Sequence, residues 1–200
     1  MTYYDDIAEG YEELHKEEQE KKIAVIKKVM KELNWKIKEN ETVLDVACGT
    51  GLTTRPWPGK KTGLDPARKL LEKAKGWEEW MEEKKDERKK EWKIEKEDKK
   101  GKKDNKKNKK IKYILGKAEH MPFKNHVFNW VLSITAVQNF NDINKALSEI
   151  KRVGKNHFIL SFLKKSEKKE SIEKVIEKKF KIQKKIEEEK DIIYFLNREV

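Results

Sequence analysis

The chain has a single cysteine, Cys48, so no intramolecular disulfide can form and cohesion must come from packing. That usage suits a reducing compartment. No apolar run approaches the ~18 residues of a membrane span, and the opening MTYYDDIAEG is too polar and acidic for a signal peptide. A cytoplasmic protein without a membrane span is therefore expected. Histidine occurs four times, never at a spacing that suggests metal ligation or a catalytic triad. His120, His126 and His157 read as ordinary loop or strand residues, and no metal is expected. Glutamine is scarce, while Lys, Glu and Ile dominate. Such a bias is seen in proteins of hyperthermophiles, whose surfaces carry ion-pair networks; an AT-rich genome produces the same bias.

What is present is charge. Charged residues make up 43% of the chain against 36% hydrophobic, with a net charge of +12. The excess is uneven. The stretch KKGKKDNKKNKK (99–110) carries eight lysines and one acid, so it supplies +7 of the total. It has nothing to bury and reads as a solvated loop within a charged insertion over residues 76–110. A basic block of this kind either tracks phosphates of a nucleic acid, with Trp77, Trp80 and Trp92 stacking bases, or is a tolerated insertion whose tryptophans pack on the domain.

The rest of the 200 residues reads as one domain. Ile7, Leu14, Ile23, Ile26, Val29, Met30 and Leu33 recur at helical spacing, predicting an amphipathic helix over 5–33. Short β-branched or apolar runs predict strands at 42–46, 60–64, 111–115, 128–134 and 157–162. Helices fall between them; the clearest is 141–153, with Asn141 or Asp142 as its cap. Residues 180–197 read as two strands joined by a polar turn. Alternating strands and helices argue for an α/β fold, a parallel sheet covered on both faces.

The stretch VLDVACGTG (43–51) follows the first strand. A small-residue loop at the carboxyl end of a parallel strand is where open α/β sheets take ligands. The dinucleotide fingerprint would need a third glycine where Thr54 stands, and Asp45 would repel a pyrophosphate. An acid here suits a ligand with a nucleoside, a cationic sulfur and an ammonium group, which describes S-adenosyl-L-methionine.

These residues resemble the first motif of class I S-adenosylmethionine-dependent methyltransferases. TGLDPARKLLEKA (62–74), YILGKAEHMPFKNHVFNWVLSITAVQNFND (113–142) and ALSEIKRVGKNHFILSF (146–162) resemble the blocks that follow, in order. The nearest type is similar to the ubiquinone and menaquinone biosynthesis methyltransferases, whose opening pattern is matched by YYDDIAEGY. The resemblance implies a Rossmann-like, doubly wound, mostly parallel seven-stranded sheet with a C-terminal antiparallel hairpin, and an N-terminal helical lid over residues 1–38. It implies that Asp45, Ala47, Cys48, Gly49, Thr50 and Gly51 form the cofactor loop and that Asp65 accepts the ribose hydroxyls beside Pro66. Ala118 and Glu119 fall at the adenine site, Ser133 among the cofactor-binding residues and beside the acceptor pocket, and Tyr4 and Tyr11 in the lid. Thr135, Gln138 and Asn139 would line the acceptor pocket. The reaction implied is an in-line displacement on the sulfonium methyl, with no single essential base.

The sequence departs from that family at four places. Ala47 replaces the first glycine, Pro56 and Pro58 cut the next helix back to its first turn, and GKN replaces a PGG turn before the fifth strand. Lys117 stands where an adenine-binding Asp is usual, and lysine cannot accept a hydrogen bond. No N-P-P-Y type sequence follows the fourth strand, which disfavours methylation of exocyclic amines. The expected substrate is a small molecule. The alternatives are an RNA, held through Lys99 to Lys110 (SITAVQ resembles small-subunit rRNA N7-guanine methyltransferases), and a cofactor-binding protein without catalysis.

Overall fold

The computed structural model describes residues 11–77, 79 and 110–198, with side chains from residue 15 onward. Helix α1 (Tyr11–Glu32) precedes β1 (Thr42–Val46) and β2 (Lys60–Asp65). A helix through residues 68–77, α2, leads toward β3 (Lys112–Leu115) and then β4 (Phe128–Ser133). After a short 3-10 turn, Val137–Asn139, come α3 (Ile143–Val153), β5 (Gly154–Leu163), α4 (Lys169–Lys179), β6 (Phe180–Glu187) and β7 (Asp191–Arg198).

Among the described residues the seven strands form one sheet in the order β3-β2-β1-β4-β5-β7-β6. β1 pairs in parallel with β2 and β4, β2 with β3, and β4 with β5. β7 is antiparallel to both β5 and β6, so it is the one reversed strand. The mostly parallel, doubly wound sheet with a terminal hairpin is therefore as expected. The chain winds outward from β1 to β3, then returns to β4 on the other side of β1. That reversal opens a crevice at the carboxyl ends of β1 and β4.

Period-two alternation sorts the core into two layers. Val43, Trp130, Leu132, Ile159, Ile193 and Phe195 meet Ile23, Ile26, Val29 and Met30 of α1. Leu44, Val131, Phe158, Leu160, Ile192 and Leu196 meet Leu147 and Ile150 of α3 and Ile172 and Ile176 of α4. The sequence pattern did not single out α4, because Ile172, Val175 and Ile176 are its only apolar residues among Lys, Glu and Ser171. The second half of α1 is thus a core layer of the sheet. Its direction matters: Lys22 reaches Thr135 just beyond the end of β4, while Trp35, past its other end, packs edge-on to Trp130 near the start of β4. The N-terminus of α1 therefore lies at the carboxyl end of the sheet.

The connection after β1 carries one helical turn and no more: Arg55 N–H donates to Gly51 O at 3.0 Å, and residues 52–56 are turn. Pro56 and Pro58 stop it there. Trp57 fills the space a longer helix would take. It is buried among the α1 side chains, and its indole N–H donates to Thr53 O at 2.7 Å. Trp57→Ala should lower the free energy of unfolding by about 3 kcal/mol, the usual range for emptying a buried aromatic site; urea denaturation measures this, and a change under about 1 kcal/mol would show that the segment closes without it.

Candidate functional site

The loop after β1 is fastened to β2 through its amides. Ala47 and Cys48 donate to Leu64 O at 2.7 and 3.1 Å, and Gly49 N–H donates to Asp65 Oδ2 at 2.8 Å. Ala47, Gly49 and Gly51 all adopt positive φ, at 60°, 55° and 82°. Glycine takes that region freely; Ala47 does so against the left-handed penalty of a Cβ. A Cβ on Gly63 would lie 2.7 Å from Cys48 Sγ and 2.9 Å from Tyr113 Cδ1. The absence of side chains at 51 and 63 is what lets the Tyr113 ring lie across β2 against the loop.

Asp65 ties three segments together. Its Oδ1 accepts from Ala67 N–H at 2.7 Å, its Oδ2 holds Gly49, and its backbone carbonyl accepts from Gly116 N–H at 3.0 Å. The Ala67 bond spans two residues, so Asp65 closes an Asx turn from which α2 starts. Asp45, at the centre of the sheet, is fully buried. Its Oδ2 accepts from Thr53 Oγ1 at 2.7 Å and Thr54 Oγ1 at 2.6 Å, while Oδ1 has no hydrogen-bond partner. Burial pushes its pKa up to about 6, opposed by the two threonine hydroxyls and assisted by the negative Asp65. Burial first, then the charges of Asp45 and Asp65, push the Cys48 thiol well above its ordinary value, so it is no thiolate nucleophile.

On the β4 side, Ser133 is fully buried with an unpartnered Oγ. Thr135 has φ 55° and lies half-buried, Gln138 donates its amide to Thr135 O at 2.9 Å, and Asn139 is exposed. Ala118 is buried and Lys117 exposed. Glu119 is buried, and its Oε1 accepts from the Asn141 and Asp142 amides at 2.8 and 3.4 Å, which ties the segment after β3 to the start of α3. Asp142 caps α3 by accepting from Lys145 N–H at 2.9 Å.

Buried side-chain atoms without partners share one region. Among the described residues, Asp45 Oδ1, Thr50 Oγ1, Ser133 Oγ, Gln138 Oε1 and Asp191 Oδ1 belong to the end of β1 and its loop, the end of β4 and the turn after it, or the start of the reversed β7. Gln19 Oε1 joins them from the N-terminal half of α1. Buried polar atoms are ordinarily satisfied, so a cluster of exceptions marks a place where something else completes the bonding.

Of the other residues raised by the sequence, Tyr4 lies outside the described residues, and Tyr11 opens α1 with only its backbone described. Of the 76–110 insertion, residues 76, 77, 79 and 110 are described, and Trp77 carries the Arg55 guanidinium 3.9 Å from its ring centre. Trp80, Trp92 and nearly all of the lysine block fall outside. His157 stacks on Trp130 at 4.2 Å at the opposite end of the sheet, where burial lowers its pKa. Among the described residues no group of His, Cys, Asp and Glu side chains is arranged to hold a metal ion, and no helix is long and apolar enough to cross a membrane.

Sequence reasoning missed Thr53 and Thr54 as the partners of Asp45, and missed Lys22, Ser161 and Asp191 altogether. A signal for Lys22 existed: it occupies an inward position in the series Gln19, Lys22, Ile26, Val29 and Leu33, where an apolar residue would be ordinary.

This strand order, with a reversed seventh strand and a small-residue loop at the crevice, is a Rossmann-like arrangement. The chain belongs to the methyltransferase domain family, which matches residues 44–162. Sequence similarity links it to an uncharacterized Methanocaldococcus jannaschii protein, MJ1252, at 27% identity over 80% of this chain and 49% of that one. The chain thus spans about half the length of that curated relative. Similar solved structures include a Methanococcus maripaludis S-adenosylmethionine-dependent methyltransferase described as putative (TM-score 0.68, 13% identity, 100% of this chain and 96% of that one). The Synechocystis magnesium protoporphyrin IX methyltransferase with bound S-adenosylmethionine is another (0.64, 14%, 91% and 80%). A third is a Haloferax volcanii putative methyltransferase in complex with the activator Trm112 (0.68, 14%, 100% and 99%). At these identities the likeness is one of fold.

The raised pKa of Asp45 has a stability consequence. The protonated form is favoured in the folded state, so its contribution is best below the unfolded value of 3.8, declines as pH rises toward about 6, and stays unfavourable above. Asp45→Asn keeps an oxygen for Thr53 and Thr54 without the charge. It should raise stability at pH 7 by up to about 3 kcal/mol and change little at pH 4, as read from thermal melts at the two pH values. Equal effects at both would rule out a buried charge as the cause.

Proposed function

We propose that the loop 45–51 and Asp65 cradle S-adenosylmethionine and that the chain methylates a small molecule presented at the end of β4. The observation that carries the cradle is the unpartnered, fully buried Oδ1 of Asp45 beside loop amides held by Asp65. A buried carboxylate with one oxygen unsatisfied is costly. A cation placed nearby offsets that cost, and water-excluded surroundings strengthen the attraction. Because Asp45 is sealed behind the loop, it acts through its field, and the loop backbone makes the contacts. Asp65 already holds two amides, and a carboxylate has about four lone-pair sites, so ribose hydroxyls would share it. Ala118 borders the adenine side. Glu119 serves there by fixing the segment after β3 rather than by a free carboxylate.

The residues fit the cofactor's chemistry, which supplies a methyl group already activated on a sulfonium. The protein's part is then to orient the acceptor and keep water out. Thr135, Gln138 and Asn139 stand at the rim of the crevice, with Gln138 Oε1 as an unused acceptor. A small-molecule acceptor is favoured because the charge excess sits in one block: without residues 99–110 the remaining net charge is +12 less +7, or +5. The competing reading, an RNA held by that block, rests on its eight lysines.

Calorimetry should detect S-adenosylmethionine binding by the intact chain and its loss in Asp65→Ala. Affinity should also fall as pH drops below about 6, by roughly tenfold per unit, as Asp45 takes up a proton. An Asp65→Ala protein that binds normally would sink the cradle. Incubating the protein and tritiated-methyl cofactor with fractionated cell extract separates the acceptor readings: label is expected in the metabolite fraction, and label in RNA would favour the alternative.

A further inference from the structure

Thr135 is a β-branched residue held at φ 55°, immediately beyond the strand that faces the crevice. Such a residue is a genuine outlier in that region, and strained residues persist only where their surroundings over-determine them. The surroundings do so here. Thr135 N–H donates to Ser161 Oγ at 2.6 Å, and its hydroxyl donates to Asp191 Oδ2 at 2.8 Å while accepting from Lys22 Nζ at 2.5 Å. Ser161 Oγ also donates to Asp191 Oδ2 at 2.8 Å, and Lys22 Nζ lies 3.1 Å from the same oxygen. Lys22 is 1% exposed and Asp191 fully buried. Four elements meet at this knot: α1, the end of β4, β5 and β7.

We propose that Lys22 and Asp191 are positioning residues for methyl transfer. They hold Thr135 in its left-handed conformation, and so fix where residues 135–139 stand against the acceptor. An ordinary buried ion pair is weak support for a fold and could be replaced by apolar residues. This one is placed on the strained residue, and its cation comes from the helix whose N-terminus lies at the same end of the sheet. The side chains of Lys22 and Asp191 bond to Glu18, Thr135, Ser161 and each other, so the pair governs the acceptor side and leaves the cofactor side alone. The inference rests on the crevice being the methyl-transfer site, as proposed above.

The test uses the full chain and three variants. Thr135→Ser keeps the hydroxyl, Thr135→Val removes it at equal size, and Lys22→Met combined with Asp191→Asn removes both charges without leaving either one unpaired. Three quantities are read: S-adenosylmethionine Kd by calorimetry, amide hydrogen exchange over residues 135–139, and the rate of tritiated-methyl transfer into the extract fraction labelled by the wild type. Thr135→Val and the double variant should exchange faster over 135–139 and transfer at least about tenfold more slowly, as misplacement of a reacting partner does. Their Kd should stay within about threefold of wild type, and Thr135→Ser, which keeps the hydroxyl, should keep the slow exchange of wild type over 135–139. Unchanged exchange and rate in the double variant would overturn the proposal, as would a loss of Kd in step with the rate, which places the knot on the cofactor side. A wild-type protein that fails to bind S-adenosylmethionine overturns the methyl-transfer reading of the crevice itself, a result distinct from either.

Discussion

The bond from Gly49 N–H to the Asp65 carboxylate is the constraint on which the ligand end of this molecule depends. A parallel sheet ends in a row of loops, each needing partners for its amides. Asp65 answers for three of them at once: the loop after β1 through Gly49, the start of α2 through Ala67, and the segment after β3 through its carbonyl to Gly116. The loop can then adopt repeated positive φ without drifting, even with alanine at 47. Placing Asp65 there also places a second negative charge near Asp45, and that charge helps raise the Asp45 pKa. The geometry that organises the loop and the electrostatics that favour a cation beside it have one origin.

By itself, the shortened connection after β1 covers little of the sheet. Two aromatic residues from different places make up the difference. Trp57 turns inward onto α1 from within the shortened segment itself. Tyr113 leans in from β3, over a glycine of β2. Thr53 and Thr54, in the single turn that remains, supply both hydroxyls that Asp45 accepts. The turn is thus reduced to what the carboxylate needs, and bulk is supplied by the two rings.

The fold was legible because its signals are local. Strand runs at 42–46 and 60–64, the capped helix before β5 and the polar turn of the final hairpin each declare themselves within a few residues, and the structure places them within one to three residues of expectation. The loop after β1 was legible for the same reason, since its small residues are contiguous and Asp65 meets Gly49 across only sixteen positions, although the partners of Asp45, Thr53 and Thr54 at eight and nine positions, were missed. The surroundings of Thr135 were not legible. Lys22 meets Thr135 across 113 positions, and Thr135 meets Asp191 across 56. No periodicity within α1 or β7 encodes such a meeting; the most a single sequence offers is a lysine on an apolar helical face and an acid at the head of an apolar strand.

That difference in range has a functional meaning. A donor of fixed shape can be met by a contiguous stretch, so the proposed cradle is written compactly into the turn after one strand and the end of the next. In the same proposal the acceptor's position is set by α1 and β7, which converge on one strained threonine. Substitutions in α1 or β7 would then move residues 135–139 while the loop after β1, fastened separately to β2, stays where it is. Two sides anchored by different bonds can change independently, and in this fold the junction between them is Ser133 to Thr135, where β4 passes from the sheet into the crevice.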